Sequence, residues 1–290
     1  MRIATWNVNS LKARLDKVRW WLERARPDVL LLQETKLADA DAPAAAFRDA
    51  GYELAHHGEG RWNGVAIASR CGLGDVVSNF GEPLKRSAAG ESGVEPTAEA
   101  RMIAALCGDV LAVSVYAPNG RTVGSPFYAA KLAWFGKLER WLAQSARADA
   151  PLVLGGDLNV APADADVWDP AAFGGSTHVS PAEREALARL CRWGLVDAYR
   201  LRHPEPGRYT WWDYRGGAFH MNEGMRIDHL LVTVPLAARV LSAEIDREAR
   251  KGKPIPSDHA PLFIDVDTPG LALDAGWASA DARIAARRRR

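Results

Sequence analysis

The chain has 290 residues and a formal net charge of +1, with 48% hydrophobic and 25% charged residues. That is ordinary globular composition, and it excludes a mostly disordered chain, a collagen and a coiled coil. No apolar stretch is long enough to span a bilayer, and the amino terminus enters a strand-like pattern without the apolar core of a signal peptide. Cys71, Cys107 and Cys191 are far apart, odd in number and without metal-ligand spacing, so free thiols in a reducing compartment are expected, and with them a cytoplasmic, membrane-free protein. The charge is uneven. Residues 268–290 hold five arginines and two aspartates, net +3, which leaves the rest of the chain at −2. Such a body does not attract polyanions as a whole, so contacts to nucleic acid must be local.

In chain order, Ile3–Trp6 reads as a short apolar strand. Leu11, Leu15, Val18, Leu22 and Ala25 recur at helical spacing, with Asn9 or Ser10 as cap and Pro27 as stop. Val29–Leu32 is a continuous apolar run, the pattern of a strand buried on both faces, and Val65–Ala68 is another strand. A surface loop is expected over Ser78–Glu99. Met102–Leu106 and Val110–Val115 flank a Cys-Gly-Asp turn and form a hairpin. A helix follows over Phe127–Ala143, then a buried strand at Leu152–Leu154. Ser180-Pro181-Ala182-Glu183 is a capping box, and Gly194 ends its helix. Strands at Tyr209–Trp211, Ile227–Val232 and Leu262–Val266 complete an α/β domain over residues 1–267. The arginine-rich residues 268–290 have little to bury and are expected to form a flexible appended tail.

Polar residues cluster where these strands end: Asn7 and Asn9, Glu34 and Lys36, Tyr116 and Asn119, Asp157 and Asn159, Asp228, and Asp258 with His259. In open α/β sheets ligands bind at such ends. Oxygen donors without cysteine suit a hard cation, Mg²⁺ or Mn²⁺. Taken alone, Glu34 fits an N-cap or a surface acid as well as a metal ligand. Asp157 follows two glycines that allow close approach of backbone to a ligand, the alternative being an Asx turn. Asn159 offers an amide to a phosphate, and is also a common turn residue. His259, with an ordinary pKa near ~6.5, is suited to proton transfer if a carboxylate such as Asp228 orients it. His56, His57, His178, His203, His220 and His229 have no tie to the cluster.

Eight segments in order carry a resemblance: Trp6–Leu11, Leu32–Lys36, Trp62–Ile67, Val115–Gly120, Gly155–Asn159, Trp211–Arg215, Arg226–Asp228 and Ser257–Pro261. Together they resemble the motifs of the exonuclease III family of bacterial DNA-repair nucleases over residues 3–266. The resemblance implies a single-domain, four-layer αββα sandwich of two packed mixed sheets. It implies 3′-to-5′ exonuclease action on duplex DNA, cleavage beside abasic sites and removal of 3′ blocking groups, with Mg²⁺, by a monomer. Tyr116, Asp157, Asn159, Asp228 and His259 are then the catalytic set. Glu34 anchors the metal, with Asn7, Asp157, Asn159, Asp258 and His259 as further contacts. Asn9, Lys36, Asn119, Trp212 and Met225 are the DNA-binding residues. Whether Asp157 or His259 takes the water's proton stays open. Trp211 and Trp212 face opposite ways on a strand, and Trp212 is the expected DNA contact, its alternative being plain core. Two other readings compete: a same-fold phosphoesterase for a non-DNA substrate, and a catalytically weak DNA-binding member.

Overall fold

The structure, a computed structural model, describes residues 1–84 and 95–288. In chain order its main elements are β1 (Arg2–Asn7), α1 (Leu11–Ala25), β2 (Val29–Gln33), α2 (Ala44–Asp49), β3 (Glu53–His57), β4 (Val65–Ser69), β5 (Gly74–Ser78), β6 (Met102–Cys107), β7 (Val110–Tyr116) and α3 (Pro126–Ser145). There follow β8 (Leu152–Asp157), α4 (Pro181–Gly194), β9 (Leu195–Asp197), β10 (Trp211–Trp212), α5 (Ala218–Met221), β11 (Gly224–Met225), β12 (Asp228–Thr233), α6 (Val234–Ala237), β13 (Val240–Ile245), β14 (Leu262–Val266) and α7 (Trp277–Arg288).

Among the described residues the strands form two six-stranded sheets, in the orders β13-β14-β1-β2-β4-β3 and β5-β6-β7-β8-β12-β9, and a two-stranded pair, β10-β11. The β1–β2 and β7–β8 pairs are parallel and the rest antiparallel, so both sheets are mixed. Alternation along each strand makes four layers. Ile3, Val29 and Leu31 meet Ile103, Val153 and Leu230 between the sheets. Ala4, Trp6, Leu30 and Leu32 point outward onto α1, where Val18, Trp21 and Leu22 wait. Val113 and Leu154 point the other way, onto Trp134, Leu138 and Leu187 of α3 and α4. Central strands buried on both faces explain the continuous apolar runs in the sequence.

The helix ends follow local rules. Ser10 caps α1 through the Ala13 amide, and Arg26 closes it in the left-handed region at φ 46°. Ser180 and Glu183 form the expected capping box of α4. Of the expected 78–99 loop, residues 79–81 and 96–98 are short 3-10 turns, and residues 85–94 lie outside the described ones.

The tail does not follow the expectation. Trp277 and Ala280, three residues apart on one face of α7, are buried in the inter-sheet core. Trp277 Nε1 donates to Ile245 O at 2.8 Å. Arg208 grips Asp281 through two bonds of 2.7 and 2.8 Å, and Arg2 and Arg24 donate to the Leu271 and Asp274 carbonyls. A division at residue 267 therefore cuts through packed structure, because one tryptophan face gives the tail something to bury. The side chains of the arginine run 287–290 lie outside the described residues.

Candidate active site

Both sheets deliver polar side chains to one rim. In the second sheet, register sets Tyr116, Asp157 and Asp228 side by side on β7, β8 and β12. In the first, Asn7 pairs with Gln33, and Glu34 follows directly. Behind the rim Gln33 Nε2 donates to Ser114 Oγ at 3.0 Å, a buried stitch between the sheets. Glu34, Asn9, Lys36 and Asn159 all hold positive φ, at 52°, 45°, 53° and 51°. Such backbone costs about 1–3 kcal/mol per residue and persists where the surroundings over-determine it, as around a site. Gly156 has φ 155°, and a Cβ there would lie 1.8 Å from Val115 O. The glycines before Asp157 therefore allow close strand packing, and the expected approach to a ligand is not their reason.

Hydrogen bonds knit the rim together. Asn7 Nδ2 donates to Glu34 Oε1 at 2.9 Å and to Asp157 Oδ2 at 3.0 Å. Lys36 Nζ pairs with Glu34 Oε2 at 2.8 Å and donates to Asn9 Oδ1 at 2.7 Å. Asn9 Nδ2 and Trp211 Nε1 donate to the two oxygens of Asp258, at 3.0 and 3.1 Å. His259 Nδ1 meets Asp228 Oδ2 at 2.8 Å, and its Nε2 faces Asp157 Oδ2 at 3.9 Å. Asp157 Oδ1 accepts from the Asn159 amide at 2.9 Å.

Electrostatics separate the roles. Burial, with the Asp228 and Glu34 carboxylates adding, outweighs the His259 charge and raises Asp157 to about 7. Burial works against a charged His259, but Asp228, Asp157 and Asp258 outweigh it and push its pKa up to about 10. Burial also opposes ionised Glu34, yet the Lys36 ammonium holds its carboxyl below the usual range. The Tyr116 hydroxyl, raised well above its ordinary value by burial and then Glu34, stays a proton donor.

The donor set fits a hard cation. Asp157 and Asp228 bring carboxylate oxygens within 4.8 Å of each other, with the charged His259 ring beside them as a counter-ion. The Asp228 Oδ1 atom is buried with no hydrogen-bond partner. Glu34, Asp157 and Asp258 are the carboxylates that line one cleft there.

Most of the expected residues converge. Glu34, Tyr116, Asn119, Asp157, Asn159, Met225, Asp258 and His259 line one cleft of about 220 Å³. A second hollow of about 230 Å³ shares Glu34, Tyr116 and Asn119, and adds Lys36, exposed Trp62, Arg101, and Arg121 stacked 3.5 Å over Phe127. Trp212 is a correction. It is 0% exposed, edge-on to Phe219 and 6.2 Å from Trp277, so it is core, and Trp211 is the tandem member lining the cleft. Met225 borders the cleft but is itself buried with Val167 and Ile227. His229 is buried on Val160 O and stays outside the site.

His178 was missed. It lines the cleft, with Nδ1 on Asn159 O at 2.7 Å, and burial with the nearby Lys131 charge lowers it to about 4, so it is neutral. The available signal was its place two residues ahead of the α4 capping box, which the first turn of that helix anchors.

Known proteins match this arrangement. The Endonuclease/Exonuclease/phosphatase family model matches residues 4–259. An exodeoxyribonuclease of Bacillus subtilis is 31% identical over 271 residues, 92% of this chain and 100% of the relative. An AP endonuclease from Archaeoglobus fulgidus superposes with TM-score 0.84 at 35% identity, covering 92% of this chain and all of that one. A Neisseria 3′ phosphatase solved with a product DNA hairpin gives 0.83 at 39% identity, again over 92% and 100%. With a family match across most of its length and the site complete within it, this chain belongs to the Endonuclease/Exonuclease/phosphatase family.

Proposed function

We propose that this chain is a cytoplasmic, monomeric DNA-repair nuclease. It removes nucleotides 3′ to 5′ from duplex DNA, cleaves at abasic sites and clears blocked 3′ ends. The observation that carries this is the row Tyr116–Asp157–Asp228, with both aspartates buried and His259 set against them. Asp157, titrating near neutrality, accepts the proton of the attacking water. His259 is held as an imidazolium by Asp228, so it steadies the charge that develops on the phosphoryl oxygens and does not act as the base. The Tyr116 hydroxyl donates to the scissile phosphate, whose seat Asn119 and Asn159 line. Glu34 is the carboxylate that would hold a divalent cation, leaving Asp157 free to take the proton; Asp258 is already engaged by Asn9 and Trp211. Mg²⁺, with Mn²⁺ as substitute, neutralises charge on the phosphate and lowers the pKa of water when bound. The relatives named above, an exodeoxyribonuclease, an AP endonuclease and a 3′ phosphatase, support a DNA substrate. So does the adjoining hollow, whose cations and aromatic rings suit a nucleic-acid strand.

The test uses three labelled duplexes, with an abasic analogue, a recessed 3′ end and a 3′-phosphate, each with Mg²⁺ or with chelator. Hydrolysis of all three with Mg²⁺ and none in chelator is expected. Intact DNA alongside hydrolysis of a soluble phosphodiester would replace this reading with a non-DNA phosphoesterase.

A further inference from the structure

Lys131 on α3 and Glu183 at the third position of α4 are both 0% exposed. Lys131 Nζ spends its three donors on Glu183 Oε1 at 2.5 Å, Asn159 O at 2.7 Å and Asn119 O at 3.2 Å. Glu183 Oε1 also accepts from Thr177 Oγ1 at 2.7 Å and the His178 amide at 3.0 Å. Its Oε2 accepts from the Ser180 amide at 3.2 Å and hydroxyl at 2.5 Å. One ion pair thus ties down three chain segments, and each sends a side chain into the cleft: Asn119, Asn159 and His178.

The fit is close. Gly120 sits at φ 85°, and a Cβ there would come within 2.9 Å of Lys131 Cδ. His178 Nδ1 faces a carbonyl, so it carries the proton, and Nε2 accepts from Asn119 Nδ2 at 3.4 Å. Asn119 Nδ2 also reaches Asn159 Oδ1 at 3.5 Å, while Asn159 Nδ2 is held by Ala117 O and Asp157 Oδ2. Both amide orientations follow from that chain of donors.

Taking a lysine and a glutamate out of water costs about what their attraction returns, and an apolar pair of the same volume is often as stable. Stability does not account for the pair, and its bonds go mainly to the backbone of site-bearing loops. We propose that Lys131 and Glu183 are positioning residues, which set Asn119, Asn159 and His178 against Asp157 without touching the substrate. This rests on the phosphodiesterase reading above.

The experiment compares the full chain with Lys131→Met, Glu183→Leu and the double variant. Each single change strands one buried charge and lowers Tm. The double change removes both charges at similar volume, and its Tm falls by less than the sum of the two single changes, the remaining loss being that of the α4 capping box. Its kcat on the abasic duplex nevertheless falls about 10- to 100-fold, with a smaller change in KM, as expected when reacting groups are misplaced by about 1 Å. Hydrogen exchange quickens in peptides covering residues 117–121, 158–161 and 177–180, and elsewhere it does not. Glu183→Gln, which keeps the shape and one acceptor oxygen, is measured alongside and shows the same local exchange at smaller amplitude. Turnover within twofold of wild type and unchanged loop exchange, in the double variant or in Glu183→Gln should the double not fold, overturn the proposal. A wild type that leaves DNA intact sinks the nuclease reading instead, and the exchange measurement still decides the positioning role.

Discussion

His259 Nε2 stands 3.9 Å from Asp157 Oδ2 while its Nδ1 is bound to Asp228 at 2.8 Å. One imidazole is thereby shared between a carboxylate that holds its proton and one that faces the cleft. Burial and neighbouring charges separate Asp157, poised near neutrality, from His259, kept charged.

Asp157→Asn removes the base and keeps the shape. Turnover should fall by about 10²–10⁴ with DNA binding retained. The same change should stabilise the fold as pH rises. Asp157 titrates near 7 when folded, above the ordinary aspartate value of 3.8, so its contribution is full below that value and is lost as pH climbs toward 7. In chelator, the Tm advantage of the variant should therefore be larger at pH 8 than at pH 4. An equal advantage at both would refute the burial argument.

His259→Ala should cost a comparable 10²–10⁴ in turnover, and Asp228→Asn less, because it acts through the imidazole. The folded pKa of His259 is raised from 6.5 to about 10. Its stabilising share is complete below about 6.5 and drains away as pH rises toward 10. Wild type and His259→Ala should thus differ most in Tm at pH 6 and converge by pH 10. Turnover of His259→Ala within twofold of wild type would make its role structural.

The tandem tryptophans should separate cleanly. Trp211→Ala removes a cleft wall and should weaken DNA binding by about 1–3 kcal/mol with little change in Tm, the range of a lost base stack. Trp212→Ala opens the core and should destabilise by about 3–5 kcal/mol. The pair of measurements is thermal melting and KM on one abasic duplex. A Tm loss confined to Trp211→Ala would reverse the assignment.

Chelation should abolish hydrolysis, and added Mg²⁺ should restore it. Glu34→Ala should raise the Mg²⁺ concentration for half-maximal rate, since it removes a carboxylate that Asn7 and Lys36 orient toward the cleft. An unchanged Mg²⁺ requirement in this variant would move the metal to the Asp157–Asp228 side.

Trp277→Ala should destabilise by about 3–5 kcal/mol, because that ring fills the core beside Trp212. Trimming residues 287–290 alone should change stability by no more than about 0.5 kcal/mol. If these arginines reach DNA, the trimmed protein should bind less tightly at low salt and lose about 0.9 per lost phosphate contact from its log–log salt slope. Superimposable salt curves would exclude that contact.

What the sequence determined by itself follows from burial. Strands β1, β2, β4, β6, β7, β8, β12 and β14 were legible because runs such as Val29–Leu32 are buried on both faces and stay apolar throughout. The four edge strands, β13, β3, β5 and β9, were not, because an edge such as Glu53–His57 has half-exposed faces and mixes His and Glu with its apolar residues. The chemistry was legible where a polar residue follows such a run within three positions, as Asn7, Glu34 and Asp157 do. Only the tertiary structure decided what depends on distant partners. Trp277, 65 positions along the chain, covers Trp212 and so assigns the cleft to Trp211. Helices α3 and α4 bury Lys131 against Glu183 and carry His178 into a site that no local pattern connects it to. Periodicity reports whether a side chain is buried, but which neighbour buries it is settled only when the layers close.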